Sequence, residues 1–115
     1  MTEKERLKAV KKHLAVLIKQ SKRVVAYDLP KKWWPTDVKD PRSGECFTHA
    51  GAWDFIVEQL EKKGTVIKEI NLKEPPGRKG YILLVRTKEG IIYVKLHFGG
   101  TGDTVIGRSF HYSSE

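Results

Sequence analysis

Residue types that can move protons and bind phosphate recur at every second position of one apolar segment. Tyr93, Lys95 and His97 alternate with apolar residues in the sequence GIIYVKLHF. Because successive side chains of a β-strand point to opposite faces, we expect these three on one face and the apolar residues between them in the core. Either Arg108 or His111 of the following segment is expected to join them, depending on the strand register.

A set of this composition can cleave RNA without a metal ion. A His or Lys accepts the proton of the 2′-hydroxyl group, a Tyr or His protonates the leaving oxygen, and Arg and Lys stabilise the charge on the phosphorane. Because RNA carries its own nucleophile, neither Ser nor Cys is required. The alternative interpretation is that they are ordinary surface residues on an exposed sheet face. The candidate catalytic residues are Tyr93, Lys95, His97, Arg108 and His111.

A second candidate feature is the sequence KKWW at residues 31–34. Adjacent aromatic rings beside lysines can stack on bases and bind phosphates, whereas a Trp in a loop can instead fill the edge of a core. Other cations lie in the loop before the first strand of the C-terminal segment and on that strand. The candidate nucleic-acid-binding residues are Lys31, Lys32, Trp33, Trp34, Arg78, Lys79 and Arg86.

The sequence indicates no metal or cofactor site. The four His residues and the single Cys46 have none of the spacings typical of metal ligands. The glycine-rich GGTGD resembles a phosphate-binding loop only by its glycines, and its place between two predicted strands favours a hairpin turn. With one Cys, an internal disulfide bond cannot form, which favours a cytoplasmic protein.

Two amphipathic helices are predicted to position these residues. Thr2 and Glu5 form a capping box before apolar residues at helical spacing, which predicts a helix from residue 3 to about 22. Thr48 is a plausible N-cap for a second helix over residues 49–63, followed by Gly64. Residues 24–47 are punctuated by Pro and Gly and are expected to be irregular, apart from a short edge strand in VVAYDL.

The C-terminal half is predicted to form the sheet. TVIKEINL has strand composition, and three further apolar segments between Gly80 and Tyr112 are separated by short glycine-containing connections, which is typical of an antiparallel meander. We therefore expect a single α+β domain over residues 1–115, with two helices on one face of an antiparallel sheet of about four strands. The other face is free to bind.

Charge is concentrated at the N-terminus. The net charge is +8, and residues 1–25 contain eight Lys or Arg against Glu3 and Glu5. This asymmetry suits RNA or an acidic protein as partner, although a solvated helix face is equally consistent with it. The sequence has no apolar run long enough to span a membrane, so no membrane association is expected.

The last two segments resemble a known family. GIIYVKLHF followed by TVIGRSFHYS is similar to the closing strands of RelE-like toxins of the motility quorum-sensing regulator type. This resemblance implies a small basic α+β endoribonuclease that cuts messenger RNA and is neutralised by an antitoxin partner. Tyr93 matches the family's strand tyrosine, and His111 takes the place of a basic residue that is Lys in those toxins. The sequence also resembles small orphan proteins of mobile gene cassettes, which implies no activity.

Three functional hypotheses follow. The first is a RelE-like endoribonuclease. The second is a non-catalytic module that binds nucleic acid or an acidic protein through the basic helix and the KKWW segment. The third is a homo-oligomer that associates through the open sheet face or an edge strand.

Overall fold

Helix α1 begins at its predicted cap and spans Glu3–Lys19. The computed structural model describes residues 1–113. Thr2 Oγ1 accepts a hydrogen bond from the Glu5 N–H (3.2 Å). The helix ends three residues before the predicted position, because Ser21 adopts a left-handed φ of 61° and the Lys22 N–H donates to the Leu17 carbonyl (2.9 Å). These contacts form a Schellman motif, which satisfies carbonyls that the helix end leaves free.

Helix α2 spans His49–Glu61, two residues fewer than predicted. Its predicted cap is confirmed: Thr48 Oγ1 accepts a hydrogen bond from the Gly51 N–H (2.9 Å). The two helices pack against each other and cover the same face of the sheet, because their apolar residues belong to one buried cluster with the inward-facing residues of the strands.

The predicted α+β fold with two helices is confirmed, and the prediction of about four antiparallel strands holds in part. Within residues 1–113 the sheet has six strands, which are β1 (Arg23–Val25), β2 (Lys32–Trp33), β3 (Ile67–Asn71), β4 (Lys79–Thr87), β5 (Gly90–Gly99) and β6 (Thr104–Tyr112). Their order is β1-β6-β5-β4-β3, with β2 also paired to β6. The meander β4-β5-β6 and its neighbour β3 are antiparallel, as predicted, whereas β1 and β2 run parallel to β6 along one edge, so the sheet is mixed.

The segment between β1 and α2 closes the core at the end of β6. Trp33 on β2 is buried, with its ring centroid 4.9 Å from that of Trp53 on α2 and 5.6 Å from that of Phe110 on β6. A 3-10 helical turn, Pro35–Asp37, follows β2, and Phe47 then packs edge-on against Phe110 at 5.1 Å. Much of the stretch expected to be irregular is therefore anchored to the sheet by aromatic side chains.

Gly107 on β6 lets the two Trp rings approach the sheet. A Cβ atom at this position would lie 2.7 Å from Trp33 Cζ3 and 3.0 Å from Trp53 Cη2. We expect Gly107→Ala to lower the free energy of unfolding by about 1–3 kcal/mol, because neither rigid ring can move without disturbing the core. Urea denaturation of this variant and of the wild type measures the effect. Gly107 is not among the glycines with a positive φ, so backbone strain does not account for the expected loss, and an unchanged free energy of unfolding would contradict the close packing of the two rings.

Candidate active site

A β-bulge resolves the ambiguity in strand register. Lys95 pairs with Ser109, but the next residue of β5, Leu96, pairs with Gly107, so Arg108 is the extra residue of β6. A bulge places two residues of one strand opposite one residue of its partner. Beyond the bulge, Tyr93 pairs with His111. Arg108 and His111 therefore both reach the face that carries Tyr93 and Lys95, where the sequence allowed only one of them.

These side chains line one pocket on the outer face, which is the face of the sheet that the helices leave uncovered. The pocket, hereafter the basic pocket, has a volume of about 350 Å³. It is also lined by residues 30–32, at the start of β2, so the basic pocket combines three chain segments. None of the described residues that line it is acidic. Its charged and aromatic residues are Lys31, Lys32, Tyr93, Lys95, Arg108 and His111.

Arg108 is held in a fixed position although it reaches the pocket. It is only 4% exposed, and its guanidinium group donates from Nε to the Pro30 carbonyl (2.8 Å) and from Nη1 to the Glu74 carbonyl (2.7 Å). Nη1 also lies 3.3 Å from His97 Nε2. Within residues 1–113, Nη2 has no hydrogen-bond partner. Because Nε and Nη1 of the planar guanidinium are held by carbonyl groups, Nη2 is left to donate to an anionic ligand.

His97 lies behind the basic pocket and does not line it. Its side chain is 3% exposed, and Nδ1 is 3.0 Å from the Phe98 carbonyl. Because a carbonyl can only accept, Nδ1 carries the proton, and Nε2 accepts a hydrogen bond from Arg108. Both ring nitrogens are therefore occupied. His97 was predicted to be catalytic, but it does not reach the basic pocket, and its contact with Arg108 helps to hold that side chain in position.

The environment of His97 disfavours its protonated form. Burial lowers the pKa of His97 below its ordinary value of 6.5, and the positive charge of Arg108 lowers it further, while the hydrogen bond to the Phe98 carbonyl opposes the shift. Arg78 and Lys95 also face it and act in the same direction as Arg108. The imidazole is therefore neutral in the folded protein at neutral pH.

Stability is expected to fall as the pH is lowered from about 6.5. The unfolded chain then binds a proton at His97 that the folded protein does not, which costs up to about 1.4 kcal/mol per pH unit. Urea unfolding between pH 7.5 and 5.5 measures this slope, which we expect His97→Gln to reduce and the exposed control His49→Gln to leave unchanged. The ion pairs with Arg lower the pKa values of Asp40 and Glu69, so these carboxylates lose their contribution to stability only at pH values below this range. An unchanged slope in His97→Gln would contradict this assignment.

His111 is oriented by contacts on three sides. Nδ1 lies 2.8 Å from the Tyr112 carbonyl, so Nδ1 is protonated and, in the neutral ring, Nε2 carries the free lone pair. The ring stacks on Tyr93, with centroids 5.2 Å apart and an interplanar angle of 23°, and lies 5.9 Å from the ring of Trp34. A histidine with a fixed tautomer and a free Nε2 in a pocket has the features of a general base.

Burial shifts the pKa values of Lys95 and Tyr93 in opposite directions. Burial, followed by the charges of Arg108 and Lys32, lowers the pKa of Lys95 below its ordinary value. Burial raises the pKa of Tyr93. Lys95 is therefore a stronger proton donor than a lysine in water, whereas the Tyr93 hydroxyl keeps its proton.

The predicted nucleic-acid-binding residues are divided among several places. Lys31 and Lys32 are exposed and line the basic pocket. Trp33 is 7% exposed and lies in the core, whereas Trp34 is 50% exposed beside His111. Trp33 therefore fills the edge of the core, whereas the exposed Trp34 stays a candidate for stacking on a base.

The other three predicted cations lie outside the basic pocket. Arg78 donates to the carbonyls of Phe98 and Gly100 (3.2 and 2.8 Å) and braces the β5-β6 connection. Lys79 donates to Asn71 Oδ1 on the edge strand β3 (2.6 Å). Arg86 is exposed and pairs with Ile91, beyond Tyr93 on the outer face.

Comparisons with other proteins give no family. The sequence matches no protein-family model, and no curated protein or solved structure is significantly similar to the chain. Residues 1–113 contain no group of three or more His, Cys, Asp or Glu that could bind a metal ion. Neither of the two helices described is long and apolar enough to cross a membrane.

Proposed function

We propose that this protein is a metal-independent endoribonuclease of the RelE-like toxin type, with the basic pocket as its active site. The observation that carries the proposal is the convergence of Tyr93, Lys95, Arg108 and His111 with Lys31 and Lys32 around one concave surface of about 350 Å³. The resemblance of β5 and β6 to the closing strands of those toxins supports the same activity.

The proposed reaction transfers the phosphoryl group to the 2′-oxygen of the same nucleotide. His111 Nε2 accepts the 2′-hydroxyl proton while the 2′-oxygen attacks phosphorus, and the bond from phosphorus to the 5′-oxygen breaks. Lys95 donates a proton to that leaving oxygen. The products are a 2′,3′-cyclic phosphate and a 5′-hydroxyl group, and proton exchange with water restores neutral His111 and protonated Lys95.

The remaining residues of the basic pocket act through charge and position. Arg108 Nη2 donates to a non-bridging oxygen, whose negative charge grows in the transition state. Lys31 and Lys32 bind neighbouring phosphates and add a salt-sensitive contribution to affinity. Tyr93 is a positioning residue that holds the His111 ring by stacking.

Single-stranded RNA fits this site better than duplex RNA. In-line attack by the 2′-oxygen requires a flexible backbone, and unstacked bases can pack on an exposed aromatic ring. Trp34 provides such a ring next to His111. The other two Trp residues, Trp33 and Trp53, are buried. Quenching of Trp fluorescence by RNA therefore reports mainly on Trp34.

The activity can be tested with a labelled mixed-sequence RNA in EDTA, presented as a single strand and as a perfect duplex. We expect cleavage of the single strand, at least about tenfold slower cleavage of the duplex, and fluorescence quenching that is lost in Trp34→Leu. Trp34→Leu should weaken binding by about 1–3 kcal/mol for one stacked base. Quenching without cleavage would instead support the non-catalytic binding module, and intact, unbound RNA would contradict both.

A further inference from the structure

A second pocket lies beside the basic pocket on the outer face. It has a volume of about 210 Å³ and is hereafter the apolar pocket. This volume is below the range of about 300–1,000 Å³ that is typical of drug-sized ligands, so it suits a single ring system. Its lining includes Val24, Tyr27, Asp28, Pro75, His97 and Ile106.

The two pockets share a wall. His97 lines the apolar pocket, and its Nε2 lies 3.3 Å from Arg108 Nη1, which belongs to the basic pocket. The bonds of Arg108 to the carbonyls of Pro30 and Glu74 join the two loops between the pockets. The two pockets are therefore neighbours on either side of the contact between Arg108 and His97.

The apolar pocket offers apolar and aromatic surface for the faces of a base and a carboxylate for its hydrogen-bonding edge. Val24, Pro75 and Ile106 offer apolar surface, and the ring of Tyr27, which is 86% exposed, is free to stack. Asp28 is the one acidic residue among the described residues that line either pocket. Its side chain makes no hydrogen bond or ion pair within residues 1–113. Its two oxygen atoms are thus free to accept hydrogen bonds from a ligand.

The chemistry of a carboxylate selects among the four bases. An ionised carboxylate only accepts hydrogen bonds, and it does so best from two parallel donors. Guanine presents adjacent N1–H and N2–H donors. Adenine, cytosine and uracil each place an acceptor beside the donor on the same edge, which the second carboxylate oxygen would repel. Arg78 also lines this pocket, but its Nη1 and Nη2 already donate to the carbonyls of Phe98 and Gly100, so the selectivity is assigned to Asp28.

We propose that the apolar pocket is a nucleobase subsite that selects guanine next to the scissile phosphate, with Asp28 as the specificity-determining residue. This inference rests on the proposed endoribonuclease activity for the location of the phosphate. The subsite itself is a binding site, and its selectivity can be measured without cleavage.

The test uses short single-stranded RNAs that differ only in the base on one side of a single 2′-deoxy nucleotide, which blocks cleavage at that position. Affinities of the 115-residue protein for RNAs with guanine, adenine, cytosine or uracil at each flanking position are compared for the wild type, Asp28→Asn and Asp54→Asn. Asp54 is an exposed carboxylate on α2, behind the sheet, and controls for the change of net charge. The cleavable forms of the same RNAs give the cleavage rates.

We expect guanine at one flanking position to bind at least about tenfold more tightly than the other bases, since each hydrogen bond to a charged group contributes about 1.5 kcal/mol or more. Asp28→Asn should lose this preference, and Asp54→Asn should keep it. Equal affinity for all four bases, or a preference that survives in Asp28→Asn, would overturn the subsite while leaving the endoribonuclease proposal intact. A guanine preference that depends on Asp28 in a protein that does not cleave would uphold the subsite and refute the catalytic proposal.

Discussion

Replacing His111 with Ala should reduce the cleavage rate constant by roughly 10²–10⁴-fold, the usual contribution of a general base. Among the described residues that line the basic pocket, only His111 combines a fixed tautomer with a free ring nitrogen, since Nδ1 donates to the Tyr112 carbonyl. The effect should fall on kcat, because the lost interaction forms in the transition state. Single-turnover cleavage of saturating RNA measures it directly.

His49→Ala is the matched control for His111→Ala. His49 is exposed at the start of α2, on the side of the sheet away from the basic pocket. Circular dichroism and thermal unfolding should show both variants folded, because the His111 ring lies at the surface of the sheet and outside the core cluster. A His111→Ala protein that cleaves within a few-fold of the wild type would assign the base to another residue.

Arg108→Ala should reduce cleavage by roughly 10²–10³-fold, a loss comparable to removal of one oxyanion-stabilising donor. The same substitution removes the bonds to the carbonyls of Pro30 and Glu74. We therefore expect a second effect, which is faster trypsin cleavage after Lys31 or Lys32, because the segment before β2 is no longer tied to the sheet. Rate measurements and timed proteolysis followed by mass spectrometry give the two readouts.

Two further variants separate the charge of Arg108 from its geometry. Arg108→Lys keeps the positive charge but cannot form the same planar fork, so it should recover only part of the activity and little of the protection from trypsin. Arg86→Ala removes an exposed cation at the far end of the outer face and should change neither property. If Arg108→Ala cleaves RNA at the normal rate but is digested faster by trypsin, the role of Arg108 is purely structural.

The elements with regular patterns were predictable from the sequence, and those built from non-local contacts were not. Both helices, both N-caps and the C-terminal meander are confirmed, because each leaves a periodic or short-range signal. The edge strand predicted in VVAYDL corresponds to β1, which lies at the edge of the sheet, whereas β2 has two residues, which is too short to show alternation. Their partner β6 lies about eighty residues further along the chain, so only the folded structure reveals the pairing.

The candidate site was predicted in composition but not in detail. The alternation of β5 correctly placed Tyr93 and Lys95 on the outer face. It also predicted an accessible His97 on that face, but His97 is buried next to Arg108. No local signal marks the bulge at Arg108, because the bulge depends on how β5 and β6 pair. For the same reason, the carbonyl groups of Pro30 and Glu74 could not be identified as the partners that orient its guanidinium.

The chemical nature of the RNA ends tests the central claim most directly. A single-stranded RNA cut in EDTA, and its counterpart with one 2′-deoxy nucleotide at the cut position, are compared by mass spectrometry. The proposed mechanism predicts a 2′,3′-cyclic phosphate and a 5′-hydroxyl end in the first, and no cut at the substituted position in the second. A 5′-phosphate end, or continued cutting at the deoxy nucleotide, would mean that the 2′-hydroxyl is not the nucleophile and would contradict the roles given to His111 and Lys95.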